Sequence, residues 1–178
     1  VVVGVSLGGQ VALELYRRRP DLVAALALSG TVAAGETAQG RRARRENAER
    51  LAAAGMAGHT HRALPTMVAA GADPAAVALV GTMMLETPPD GAAATQRGRA
   101  DRADLRSLLP RIAVPTLVLV GDDDPYVPVA QARLMRACIP GARLRVVAGA
   151  GHLPSVEKPA ETTAVLQEHL DQAFLLSR

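Results

Sequence analysis

Hydrophobic residues in the first thirty positions fall into two kinds of run. Residues 1–5 are almost continuously apolar and β-branched, the signature of a short buried strand. Over residues 10–19 the spacing changes. Val11, Leu13, Leu15 and Tyr16 form an apolar stripe, arginines fill the last turn and Pro20 stops it, so a helix is expected. A second apolar run, 22–28, is too short for a helix and ends at Ser29-Gly30. Strand, helix and strand in thirty residues predict a βαβ unit, and therefore parallel pairing.

From Thr31 to about Pro110 no strand pattern appears. Alanine, arginine and methionine dominate, and the spacing predicts helices over 36–54, 60–70, 74–85 and 91–98. Asp73 before Pro74 is an N-cap followed by proline at the first helical position. The first pattern then returns: a strand over 114–120 with Pro115 near its entry, a helix over 129–138, a strand over 142–147 and a closing helix over 159–176. Leu166, Leu170 and Phe174 supply that last helix with an apolar stripe at spacing four. The expected fold is α/β, with a parallel sheet of about four strands and flanking helices. Residues 1–30 and 111–178 form its core, and residues 31–110 are a helical layer inserted after the second strand.

Composition narrows the partners. The 178 residues are 49% apolar and 21% charged, a folded-domain balance. No apolar run reaches the roughly 18 residues that span a bilayer, and no leader pattern opens the chain. One cysteine, Cys138, excludes an intrachain disulfide, and a cytoplasmic setting is expected. Three aromatic residues (Tyr16, Tyr126, Phe174) are too few for a base-stacking surface. All but one of the 20 basic residues are arginine, Lys158 being the exception, and the net charge is only +3. The dense run Arg41-Arg42-Ala43-Arg44-Arg45 precedes a Glu46–Arg50 pair at i,i+4 spacing, so it reads as a solvated helix face. Neither a nucleic-acid nor a membrane partner is expected.

Three places carry candidate chemistry. Gly4-Val5-Ser6-Leu7-Gly8 fits G-x-S-x-G at a strand-to-helix junction, where a serine on a sharp turn projects over the sheet edge. Gly4 and Gly8 are expected where strand and helix approach too closely for side chains. A phosphate loop would require GxGxxG or GxxxxGK[ST], and neither is present. His152, in Gly-Ala-Gly-His-Leu-Pro, directly follows a predicted strand, where α/β sheets place their sites; a plain loop histidine is the other reading. Asp122, Asp123 and Asp124 follow the strand before it, and spacing alone does not choose between them. His59 and His61 lack a third ligand at metal-binding spacing. Cys138 reads as a small buried residue closing a helix. His169 reads as a charge near a helix C-terminus.

The stretches Val-Val-Gly-Val-Ser-Leu-Gly-Gly, Pro-Thr-Leu-Val-Leu-Val-Gly-Asp-Asp-Asp-Pro-Tyr-Val-Pro and Gly-Ala-Gly-His-Leu-Pro-Ser-Val-Glu-Lys-Pro resemble the α/β-hydrolase family. The nearest likeness is to its helical-cap branch of enol-lactonases, esterases, proline iminopeptidases and cofactor-free haloperoxidases. The resemblance implies the order Ser…Asp…His, with Ser6 as nucleophile and His152 as base. Its G-x-x-D-x-x-x-P pattern selects Asp124, between Gly121 and Pro128. It also implies an oxyanion contact from the Leu7 N–H, a small ester or lactone substrate, and neither metal nor organic cofactor. Met56, Met67, Met83 and Met84 in the helical layer are candidate substrate-pocket residues, with ordinary helix packing as the alternative. An aminopeptidase, C–C hydrolase or perhydrolase with the same triad, or a non-catalytic ligand-binding homologue, are the alternative functions. The family has about four strands and an oxyanion loop ahead of the nucleophile strand that these 178 residues do not contain. The expectation is therefore that they form an incomplete, C-terminal part of the fold, inactive or insoluble alone.

Overall fold

The computed structural model describes residues 1–175. Its centre is a four-stranded, wholly parallel sheet of β1 (Val2–Val5), β2 (Leu26–Ser29), β3 (Thr116–Gly121) and β4 (Arg143–Val147), in that spatial order. Val5 lies opposite Ser29, Ser29 opposite Leu119, and Gly121 opposite Val147. The C-terminal strand ends therefore share one edge. β2 and β3 are buried throughout, while β1 and β4 are the outer strands.

Helices cover both faces of the sheet. On one face α1 (Leu7–Arg18) and α6 (Val129–Cys138) bury Ala12, Leu13, Ala132 and Met135 against Leu26, Leu28, Val118 and Val120. On the other, Val165 of α8 (Pro159–Leu175) joins Ala27, Leu117 and Leu119. Between β2 and β3 run α2 (Ala38–Ala54), α3 (Ala57–Met67), α4 (Pro74–Glu86), α5 (Pro89–Ala100) and a 3-10 turn, Arg106–Arg111. The hydroxyl of Thr37 caps α2 by accepting from the Gly40 N–H, and Asp73 caps α4 by accepting from the Ala75 N–H. α2 and α5 pack together around Ala48, Leu51 and Ala93. A single-turn helix, α7 (Pro154–Glu157), separates β4 from α8.

The departures from expectation have local causes. Helix α1 begins at Leu7 rather than residue 10, with Gly8 and Gly9 in its first turn. The second strand starts at Leu26 rather than residue 22. Pro20–Leu22 make a 3-10 turn that leaves Leu22 58% exposed. The buried stripe of α8 is Thr162, Val165, His169 and Ala173, one position off the expected one, and Phe174 is 61% exposed. The predicted end of that helix at residue 176 lies outside the described residues. His169 is therefore no terminal charge: it is buried, and its Nε2–H donates to the Leu26 carbonyl at 2.9 Å. Burial, reinforced by the charge of Arg143 and opposed by that bond, holds its pKa below the ordinary 6.5. Cys138 is exposed, since the inward positions of α6 are Ala132 and Met135, with Ile139 just beyond. Among the described residues Glu46 and Arg50 form no ion pair. No helix there is long and apolar enough to cross a membrane.

Candidate active site

Ser6 occupies the one-residue step from β1 into α1. Its φ of 52° and ψ of −112° make it the single non-glycine residue with positive φ among the described residues. Such a conformation costs about 1–3 kcal/mol and persists where surrounding contacts over-determine it. The Ser6 N–H donates to the Ser29 carbonyl at 2.8 Å, and its own carbonyl accepts from Gly9 at 3.1 Å. A Cβ on Gly4 would collide with the backbone of Gly8 and Gly9, which is why strand and helix can meet so sharply. Gly8, expected to be needed for the same reason, faces open space. The second close approach belongs to Gly9, against the side chain of Thr31.

His152 stands in the loop after β4, 4% exposed. Its Nε2 lies 2.8 Å from Ser6 Oγ and its Nδ1 lies 2.8 Å from Asp124 Oδ2. A carboxylate only accepts, so Nδ1 carries the hydrogen and Nε2 is the free acceptor for the serine hydroxyl. Asp124 is 5% exposed, and its second oxygen accepts from the N–H groups of Tyr126 and Val127 at 2.8 and 3.0 Å. The neighbouring aspartates do other work. Asp122 accepts from the Gly149 N–H at 2.7 Å, and Asp123 from the Ala70 N–H at 3.2 Å. Tyr126 tilts over the imidazole with ring centroids 5.0 Å apart. Leu7 is the first residue of α1, so its N–H has no intrahelical acceptor.

Sequence reasoning missed Glu157. This buried carboxylate on α7 accepts from the Gly151 N–H at 3.0 Å and the Leu153 N–H at 3.1 Å, flanking His152 on both sides. Its Oε2 also accepts from the Ala69 N–H at 2.7 Å, beyond α3. The signal was there: a lone glutamate five residues past a glycine-flanked histidine, in a single-turn helix.

Ser6 and His152 open onto a cavity of about 130 Å³. Of the four methionines expected there, Met67 lines it. Met56 instead packs against Ala48 and Leu51 inside the helical layer, Met83 is 56% exposed, and Met84 is half-buried away from the cavity. His61 is exposed. His59 is half-buried near Arg62 and Arg50, and burial followed by those two charges lowers its pKa. Among the described residues no three metal-ligating side chains gather.

Three guanidiniums reach the same cavity: Arg44 from α2, Arg99 from α5, and Arg102 just after α5. Arg44, read as part of a solvated face, turns inward to pair with Glu36 and also donates to Gln96 at 3.2 Å. Arg102 Nη2 lies 3.7 Å from the same Glu36 carboxylate, and its Nε donates to the Ala34 carbonyl at 3.1 Å. Burial pushes the Glu36 carboxyl up, but the Arg44 hydrogen bond and the charges of Arg44 and Arg102 outweigh it, and the net direction is down. Burial, followed by the charges of Arg44 and Arg102, pulls Arg99 down to about 10.

Comparison with known proteins places this architecture. The pimeloyl-[acyl-carrier protein] methyl ester esterase of Chromobacterium violaceum is 32% identical over 177 residues, covering 96% of this chain and 69% of that one. A thermophilic esterase from Thermogutta terrifontis, solved with malate bound, superposes with a TM-score of 0.94 at 33% identity, covering 96% of this chain and 64% of that one. The enol-lactonase from Burkholderia xenovorans LB400 superposes with a TM-score of 0.84 at 28% identity, covering 95% and 64%. The chain thus spans less than two thirds of either solved protein, and 31% of some curated relatives. The expected inactivity of these residues alone is not borne out: the relatives are esterases and hydrolases, and serine, imidazole and carboxylate are in hydrogen-bond contact here. Residues 1–159 match the model of the alpha/beta hydrolase fold, and the chain belongs to that family.

Proposed function

We propose that this protein is a serine hydrolase that cleaves an ester or lactone of a small molecule through an acyl-enzyme. The observation that carries the reading is the unbroken line of hydrogen bonds from Ser6 Oγ through His152 to Asp124, each 2.8 Å long. Ser6 Oγ attacks the carbonyl carbon while its proton passes to His152 Nε2. Asp124 holds the ring by accepting from Nδ1–H and stabilises the imidazolium that forms. The negative charge on the carbonyl oxygen is met by the Leu7 N–H at the N-terminus of α1, where donors and dipole both favour an anion. Collapse expels the alcohol, which takes the proton from Nε2. A water then gives its proton to the same nitrogen and attacks the acyl carbon, and the acid leaves as Ser6 regains its hydrogen. The esterase and enol-lactonase names of the relatives support the substrate class. Helices α2 to α5 act as a cap over the site, with Met67 contributing to its wall.

The test is direct. Ser6→Ala is expected to abolish both methyl ester turnover and labelling by a fluorophosphonate probe. Labelling that survives Ser6→Ala would remove Ser6 as nucleophile.

A further inference from the structure

Four buried side-chain polar atoms among the described residues have no hydrogen-bond partner: Gln10 Oε1, Thr31 Oγ1, Thr60 Oγ1 and Arg99 Nε. Buried polar groups in folded proteins are overwhelmingly satisfied, so each exception asks for an explanation. Gln10, Thr31 and Arg99 all line the cavity that holds Ser6 and His152. Three orphans in one small cavity are not scattered packing faults. They are a set of groups waiting on something the cavity binds.

The charges say what that something is. Glu36 sits between Arg44 and Arg102 and pairs with both. Arg102 has the Ala34 carbonyl as well, and Arg44 has Gln96. Arg99 is different: among the described residues its buried Nε has no hydrogen-bond partner, and Glu36 pairs with Arg44 and Arg102 instead. A half-buried guanidinium beside two others is costly to keep unless an anion completes it. A planar guanidinium fork matches a carboxylate in shape as well as charge. Ser6 and Arg99 line the same cavity of about 130 Å³, which calls for a short spacer between a carbonyl at one and an anion at the other, although Arg99 also borders an adjoining cavity of about 500 Å³.

We infer that Arg99 is an anion-binding residue, and that the preferred substrate is a monoester or lactone of a short dicarboxylic acid. The ester carbonyl would sit at Ser6 and the free carboxylate at Arg99. The Thr31 hydroxyl is a further donor to the ligand, and the Gln10 oxygen an acceptor for any hydroxyl it carries. This inference rests on the hydrolase reading for its chemistry, but its anion site stands on the orphaned and uncompensated groups alone.

The experiment compares monomethyl glutarate with neutral dimethyl glutarate, following methanol release by the full chain. The expected ratio of kcat/KM, monoester over diester, exceeds about ten. Arg99→Gln is expected to lower that ratio by about 10- to 100-fold, mostly through KM of the monoester, as loss of a charge-assisted hydrogen bond does. Arg99→Lys, which keeps the charge without the fork, recovers part of it. A wild-type ratio near one, or a ratio that both variants leave within about threefold, overturns the inference. If neither ester is turned over, or if Ser6→Ala still turns them over, the hydrolase reading fails and titration with glutarate decides the anion site. Binding that Arg99→Gln weakens about tenfold supports it, and absent or indifferent binding overturns it.

Discussion

At the strand ends, each of the three candidate catalytic residues is placed by hydrogen bonds to or from the main chain around it. Ser6 is held by a strained turn between β1 and α1, Asp124 by the N–H groups of Tyr126 and Val127, and His152 by a loop whose flanking N–H groups both end on Glu157. The helical layer opposite is assembled on other terms. Glu36, Arg44, Arg99 and Arg102 come from distant stretches of chain and meet only because α2 packs on α5. Bond-making groups are thus fixed by backbone geometry, and the charged wall by helix register. A one-residue shift of α5 would rotate Arg99 by about 100° and remove it from the cavity without moving Ser6 at all. On the proposed reading, substrate choice can therefore change while the reaction stays the same.

Several substitutions sharpen or break that division. The largest effect after Ser6→Ala is expected from Asp124→Asn, which keeps the shape but favours the wrong imidazole tautomer. The expected loss in kcat is about 10⁴-fold, equal for monomethyl and dimethyl glutarate. An effect confined to one ester would mean that Asp124 also selects substrate. Glu157→Ala comes next. It strands the N–H groups of Ala69, Gly151 and Leu153, for an expected loss of about 3 kcal/mol in unfolding free energy and about 10²-fold in kcat as the imidazole drifts. Glu157→Gln, which keeps one acceptor oxygen, is expected to restore most of the stability and part of the rate. Denaturant melts and steady-state kinetics on the same samples check both. A Glu157→Ala protein with full kcat would show that the histidine loop holds itself.

The smallest effect concerns His169, far from the site on α8. Its folded-state pKa lies below the ordinary 6.5, so the unfolded chain takes up the proton first as pH falls. Its stability contribution is intact above 6.5 and declines as pH drops from there through the lowered value. His169→Gln still offers an N–H to Leu26 and is expected to flatten the fall in melting temperature between about pH 7.5 and 5. Equal slopes in the two proteins would exclude His169 as the source.

The parallel sheet, its four strands and the three strand-end loops were readable because each depends on short-range rules: β-branched runs, glycine at forced turns, aspartates after a strand. What was hidden depended on burial of polar residues. The inward stripe of α8 contains Thr162 and His169, so an apolar count slid the helix one position round and buried Phe174 on paper. Arg44 sits in a run of five residues that looks wholly solvated, yet it alone of the four arginines turns in, toward a glutamate eight positions earlier that no helical spacing links to it. Gly8 and Gly9 exchanged roles because only the partner, Thr31 on another strand end, decides which one is crowded. Methionine content marked the layer as apolar but could not say which side chains it keeps for its own packing, as it does Met56.

Glu157 holds Ala69 with the same carboxylate that steadies both neighbours of His152. The helical layer cannot lift away at that point without loosening a bond on the group that sets the base. One carboxylate thus ties the segment after α3 to the loop that carries His152, so a displacement of either one strains a hydrogen bond on the other.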